Sequence, residues 1–166
     1  MLNILYLHGL DSKLSPEKKA ILEQYGKIYA ADLNYYTNPD AIESILEMYP
    51  KGEIDVVIGS SMGGFAGYHV SNALSRPALL FNPALVKRPV RQNIPEIKQY
   101  NKLKQIVLGQ IDEVVSPTDT LDFLAKEFNI ETHFHLHLVP GLGHNIPVDF
   151  FAEEVESFFA KLGFKK

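Results

Sequence analysis

The stretch Ile54-Asp55-Val56-Val57-Ile58-Gly59-Ser60-Ser61-Met62-Gly63-Gly64 constrains this chain more than any other. An apolar, β-branched run ends in Gly-x-Ser-x-Gly, and a small-residue helical pattern follows, Phe65-Ala66-Gly67-Tyr68-His69-Val70. The pattern predicts a strand, a sharp turn with Ser61 at its apex and then a helix, the arrangement called a nucleophile elbow. Such an apex takes positive φ, so its neighbours must be small. Gly59 and Gly63 stand two residues either side of Ser61 and let strand and helix approach closely. The turn lifts the serine oxygen clear of the sheet and aims the helix N-terminus at it, where backbone N–H groups and the helix dipole favour developing negative charge. The plainer alternative is a glycine-rich strand–helix turn carrying an exposed serine. A phosphate-binding loop fits poorly, because no Lys-Ser/Thr pair follows the glycines.

The rest of the chain repeats the strand–loop–helix rhythm. Leu2 to Leu7 is a nearly continuous apolar run, the mark of a strand buried on both faces. His8-Gly9-Leu10-Asp11-Ser12 is its loop, and Ser15-Pro16 opens a helix as N-cap and first helical residue, with Gly26 as its stop. Ile28 to Leu33 reads as a second strand and Asn38-Pro39 as the start of a second helix. After the elbow come a strand at Ala78–Phe81 closed by Asn82-Pro83, an irregular segment from Ala84 to Lys102, and a strand at Gln105–Leu108. Ser116-Pro117 opens another helix, Thr132–Val139 is a sixth strand, and Pro147 opens the last helix. Strands alternating with helices predict a parallel sheet covered on both faces by right-handed crossovers. Residues 1–166 are expected to form one domain.

In such sheets ligands sit beyond the carboxyl ends of the strands. His8, Ser61, Asp112 and His144 each fall just after a predicted strand, so unrelated loops converge on one edge. A serine hydroxyl becomes a nucleophile when a base removes its proton, and a carboxylate fixes the base's tautomer. The chain order serine, acid, histidine is met by Ser61, Asp112 and His144, with Glu113 the rival to Asp112 as the acid. The backbone N–H groups of Leu10 and Met62 are the expected oxyanion donors, with His8 bracing the first loop. Tyr35, Tyr36 and Leu142 either wall a substrate pocket or only cover the sheet edge. His133, His135 and His137 alternate with Phe134, Leu136 and Leu138; a polar strand face is a simpler account than a metal site, and no metal or cofactor is expected. Lys87, Arg88 and Arg91 read as a solvated face with a possible role against an acidic substrate, and His69 and Phe65 as packing residues.

Composition narrows the partners. A net charge of −4 argues against a nucleic-acid binder, which would need a basic face. There is no cysteine, hence neither a disulfide framework nor a thiol nucleophile. No apolar run is long enough to span a bilayer, and Asn3-Ile4-Leu5-Tyr6-Leu7 does not read as a signal peptide, so a cytoplasmic protein with no membrane partner is expected.

Tyr6-Leu7-His8-Gly9, Gly59-Ser60-Ser61-Met62-Gly63-Gly64, Asn82-Pro83-Ala84, Gly109-Gln110-Ile111-Asp112-Glu113-Val114 and Gly143-His144-Asn145 occur in that order and cover most of the chain. Together they resemble the small bacterial YqiA/YcfP-type esterases of the α/β-hydrolase superfamily. The resemblance implies a three-layer fold, a mostly parallel six-stranded sheet in the order 2-1-3-4-5-6 with a minimal lid, and action on short acyl esters or thioesters. It also carries Ser61, Asp112 and His144 over as a triad and Leu10 and Met62 as oxyanion donors. Two departures stand out: Gln110-Ile111 lengthens the family's Gly-Asp-Glu-Val acid loop, and Gly143 precedes the histidine where some members have asparagine. A small-molecule acyl substrate is therefore the expected partner. A non-catalytic binding module on the same fold is the alternative, since fold alone does not imply activity. A nucleotide-binding protein lacks its Gly-x-Gly-x-x-Gly or P-loop signal here.

Overall fold

A computed structural model describes residues 1–96 and 102–164. The element order is β1 (Leu2–Leu7), α1 (Pro16–Glu23), β2 (Gly26–Ala30), α2 (Ala41–Met48), β3 (Val56–Ser60), α3 (Met62–Leu74), β4 (Ala78–Phe81), β5 (Lys104–Gly109), α4 (Pro117–Glu127), β6 (Phe134–Val139) and α5 (Val148–Lys161). All strand pairings are parallel, in the order β2-β1-β3-β4-β5-β6. This is the predicted order.

Period-2 alternation divides the interior strands between two cores. Leu5, Leu7, Val57, Leu80, Ile106 and Leu108 face one layer, with Ile42 and Ile45 of α2, Phe65 of α3 and Leu124 of α4. Ile4, Tyr6, Ile58, Leu79, Phe81 and Val107 face the other, with Leu22 of α1 and Phe151, Val155, Phe158 and Phe159 of α5. Ser15 caps α1 by accepting from the Lys18 N–H, and Ser116 caps α4 by accepting from that of Asp119, each with proline at the start of the helix. No helix among the described residues is long and apolar enough to cross a membrane.

Several boundaries differ from the sequence reading for local reasons. Gly26 does not stop α1; it is the first residue of β2, packed so closely on Leu2 that an added Cβ would strike the Leu2 carbonyl. β2 ends at Ala30 rather than Leu33, because the Leu33 N–H donates to His8 Nε2 at 2.9 Å instead of to a strand neighbour. β6 is an edge strand whose apolar side is half open, with Leu136 and Leu138 each 44% exposed. Its polar side is engaged: His137 Nδ1 lies 2.6 Å from Glu154 Oε1. Among the described residues no cluster of three His, Asp or Glu could hold a metal ion.

The segment after β4 is a strap. Residues 84–96 carry neither helix nor strand, and residues 97–101 of the expected irregular stretch lie outside the described residues. Gln92 is buried, donating to the carbonyls of Tyr35 and Asn38 at 3.0 Å each and accepting from the Ala41 N–H at 3.3 Å. Lys87 and Arg91 are exposed. Arg88 is not part of a solvated face: its guanidinium lies 4.0 Å from the centre of the Phe65 ring and donates to the carbonyls of Ala84 and Leu85.

His69 and Phe65 pack as expected, with ring centres 4.9 Å apart in an edge-to-face arrangement. Burial, with Arg88 and Lys104 adding like charge, pushes His69 from 6.5 down to about 4. An unfolded chain therefore takes a proton at His69 where the folded one does not. The stability from the neutral ring is present above 6.5 and falls as pH drops from 6.5 towards 4. In urea unfolding across this range, His69→Phe is expected to show a shallower loss of stability than the wild type; equal slopes would show that His69 does not carry the effect.

Candidate active site

The site is built at the carboxyl edge of the sheet, and its centre is the turn from β3 to α3. Ser61 has φ 54° and ψ −117°, a conformation that costs a non-glycine residue ~1–3 kcal/mol. Hydrogen bonds hold it there: the Ser61 N–H donates to the Phe81 carbonyl at 2.9 Å, and the Ser61 carbonyl accepts from Phe65 N–H at 2.9 Å and Ala84 N–H at 3.1 Å. Glycine is required on both sides because a Cβ on Gly59 would strike the Gly63 carbonyl, and one on Gly63 the carbonyls of Leu7 and His8.

The loops after β5 and β6 meet beside this turn. Asp112 is buried and accepts on Oδ1 from the N–H groups of Val114 and Val115 at 2.8 and 2.9 Å. Its Oδ2 lies 2.8 Å from His144 Nδ1. A carboxylate only accepts, so this contact puts the proton on Nδ1 and leaves Nε2 with its lone pair. Glu113 is exposed. The inserted Gln110-Ile111 is absorbed in a turn: the Ile111 N–H reaches the Leu142 carbonyl and the Asp112 N–H returns to that of Gly109.

Ser61 and His144 border one cavity of about 410 Å³, together with Leu10 and Met62. No hydrogen bond joins Ser61 to His144 among the described residues. The N–H groups of Leu10 and Met62 donate to nothing among the described residues. For Met62 this follows from its place as the first residue of α3, where the helix supplies no acceptor. His8 braces the first loop: Nε2 accepts from Leu33 N–H, Nδ1 donates to the Gly9 carbonyl, and the His8 carbonyl accepts from Tyr35 Oη at 3.0 Å.

The structure does not bring Tyr35, Tyr36 or Leu142 to the cavity wall. Tyr35 is buried beneath the first loop. Tyr36 is exposed, with its hydroxyl on the Asp11 carboxylate. Leu142 is buried in the core on the α5 side.

One residue whose part the sequence reading missed is Asn82. It is buried, at φ 42°, with Oδ1 accepting from Gly109 N–H at 2.7 Å and Nδ2 donating to the carbonyls of Gly143 and His144 at 3.0 and 3.1 Å. It thus ties the end of β5 to the loop bearing His144. The signal was visible as Asn-Pro directly after an apolar strand, a polar residue at a carboxyl end.

The comparisons bear on this arrangement. The model of a family described as "Uncharacterised protein family (UPF0227)" matches residues 3–114. The chain belongs to the UPF0227 family. The matched region of this UPF0227 member holds Ser61, Asn82 and Asp112 and stops short of His144. No curated protein matches the chain. Among solved structures, Est1E from Butyrivibrio proteoclasticus is 16% identical with a TM-score of 0.70, over 99% of this chain and 89% of that one. The carboxylesterase of Bacillus cereus is 14% identical with a TM-score of 0.68, over 96% and 88%. A protein of the alpha/beta hydrolase superfamily from Xanthomonas campestris pv. campestris is 18% identical with a TM-score of 0.67, over 95% and 99%. At these identities the likeness shows the fold, which is that of the α/β-hydrolases.

Asn82→Ala leaves the Gly109 N–H at the end of β5 and the half-buried carbonyls of Gly143 and His144 without their partner. It is expected to lower stability by about 1–3 kcal/mol in urea unfolding and to speed amide exchange at residues 143–145 more than in β1. Unchanged exchange at 143–145 would show that the loop is held by other contacts.

Proposed function

We propose that this protein is a serine hydrolase that cleaves short acyl esters or thioesters through an acyl-enzyme intermediate. The observation that carries the reading is the 2.8 Å contact between His144 Nδ1 and Asp112 Oδ2, with His144 and the positive-φ apex Ser61 on the wall of one cavity. In this mechanism Ser61 Oγ attacks the acyl carbonyl while His144 Nε2 takes its proton. Asp112 keeps the imidazole in the required tautomer and stabilises the imidazolium. The N–H groups of Leu10 and Met62 receive the oxyanion; one such donor is worth about 3 kcal/mol. Collapse expels the alcohol or thiol, which takes the proton back from His144. Water, deprotonated by the same histidine, then attacks the acyl-serine, and the acid leaves with Ser61 restored. The site needs no cofactor for these steps.

The test is labelling with a fluorophosphonate followed by peptide mass spectrometry, alongside turnover of short nitrophenyl esters and acyl thioesters. An adduct on Ser61 that disappears in His144→Ala is expected. Ser61→Ala and His144→Ala should each lower kcat by roughly three orders of magnitude or more, because members of such a unit fail together. Asp112→Asn should fall less than either, and Glu113→Gln should stay near the wild-type rate. The reading is falsified if folded protein gives no Ser61 adduct and Ser61→Ala retains whatever esterase rate the wild type shows.

A further inference from the structure

The wall of the cavity in front of Ser61 is positively charged. Lys13, Lys18 and Lys87 border it against a single carboxylate, Asp11. Two of these cations already have partners. Lys13 Nζ lies 3.1 Å from Asp32 Oδ2, and Lys87 Nζ lies 2.9 Å from Asp119 Oδ2. Asp11 accepts from the Tyr36 hydroxyl on both oxygens. Lys18 has no carboxylate partner among the described residues. Its Nζ donates to the Ile146 carbonyl at 2.8 Å, two residues beyond His144, and stands 5.3 Å from the centre of the Phe151 ring. An ammonium has three donors, so Lys18 keeps N–H groups for a further acceptor. Burial pushes its pKa below the ordinary lysine value, as expected of a partly desolvated charge that lacks a counter-ion.

Tyr6 reaches the same cavity from β1, on the side of the sheet covered by α1 and α5. It is only 6% exposed, yet its hydroxyl makes no hydrogen bond among the described residues. Burial raises it to about 12, so it stays protonated and able to donate. Both border the cavity: a half-buried ammonium with N–H groups to spare and a hydroxyl that donates to no protein acceptor among the described residues. The group that suits both is an anion of carboxylate size, which accepts from an O–H and an N⁺–H at once.

We propose that Lys18 and Tyr6 form an anion subsite beside Ser61, and that the substrate is an ester or thioester bearing a carboxylate on its acyl chain or on its alcohol. This rests on the reading of Ser61 as the nucleophile. The carboxylate lies against Lys18 Nζ and Tyr6 Oη while the scissile carbonyl faces Ser61. A neutral ester of the same length binds the same cavity without that contact.

The experiment measures kcat/KM on two matched pairs, corrected for spontaneous hydrolysis. 4-Nitrophenyl hydrogen adipate against its methyl-capped diester places the charge on the acyl side. 4-Acetoxybenzoate against its methyl ester places it on the leaving group. The wild type is expected to favour the anionic member of one pair by about tenfold, the worth of one charge-assisted hydrogen bond, and the pair that shows it identifies the side. Added salt should shrink the preference. Lys18→Gln and Tyr6→Phe should each reduce the ratio several-fold through KM, and Lys18→Arg should restore part of it. Tyr6→Phe leaves the bond from Lys18 to Ile146 untouched, so its effect is independent of any loosening of the His144 loop. Turnover of both pairs without an anionic preference overturns the subsite and leaves the hydrolase reading standing, as does a preference that neither Lys18→Gln nor Tyr6→Phe alters. No turnover of any of the four esters, with no fluorophosphonate adduct on Ser61, overturns both.

Discussion

The close approach of β3 to α3 is the constraint from which the rest of the site follows. Gly59 lies against the Gly63 carbonyl, and Gly63 against the carbonyls of Leu7 and His8, so the helix begins almost in contact with two strands. Any side chain at these glycines would push the helix away. The chain can turn this tightly only by placing Ser61 at positive φ, and that strain persists because hydrogen bonds to Phe81, Phe65 and Ala84 leave it no alternative. The same geometry leaves the Met62 N–H without an acceptor at the helix start and brings it beside the first loop, where the Leu10 N–H is also free among the described residues.

Around this fixed point the other groups are positioned by polar contacts. Asp112 is held by backbone N–H groups that follow it in its own loop, and His144 is held in turn by Asp112. Asn82 reaches both loops from an interior strand. The arrangement is nested: a carboxylate whose own acceptors are satisfied can orient an imidazole, whereas a solvated one such as Glu113 would trade its contacts with water.

Much of this was legible in the sequence, and the reason is punctuation. Ser15-Pro16 and Ser116-Pro117 mark helix starts that the structure reproduces, and apolar runs bounded by Gly, Asn and Pro mark the central strands. The elbow could be read because steric need for small residues leaves a pattern in adjacent positions. What depended on distant partners could not be read. Gly26 serves as a close strand contact because Leu2 happens to lie beside it, and Arg88 turns inward because the Phe65 ring is there to receive it. Lys18 sits between Glu17 and Lys19 in a helix of ordinary surface composition; only the packing of α1 against α5 brings it to the cavity. Tyr6 belongs to a strand that reads as a nearly continuous apolar run, and its hydroxyl gives no sign in the sequence that it lacks a partner.

The strands also set the order in which the site can come apart. Ser61 follows β3, which is paired on both sides, whereas the loop bearing His144 follows β6, which pairs only with β5 and leaves Leu136 and Leu138 half open. Edge elements with few covering contacts open locally at lower free energy than interior ones. A fluctuation that frees β6 carries the imidazole away while the serine turn, rooted in the middle of the sheet, stays formed. Displacement of the imidazole and loss of the fold are thus separable events. The bridge from Asn82, anchored on an interior strand, is the link that keeps the first from happening long before the second.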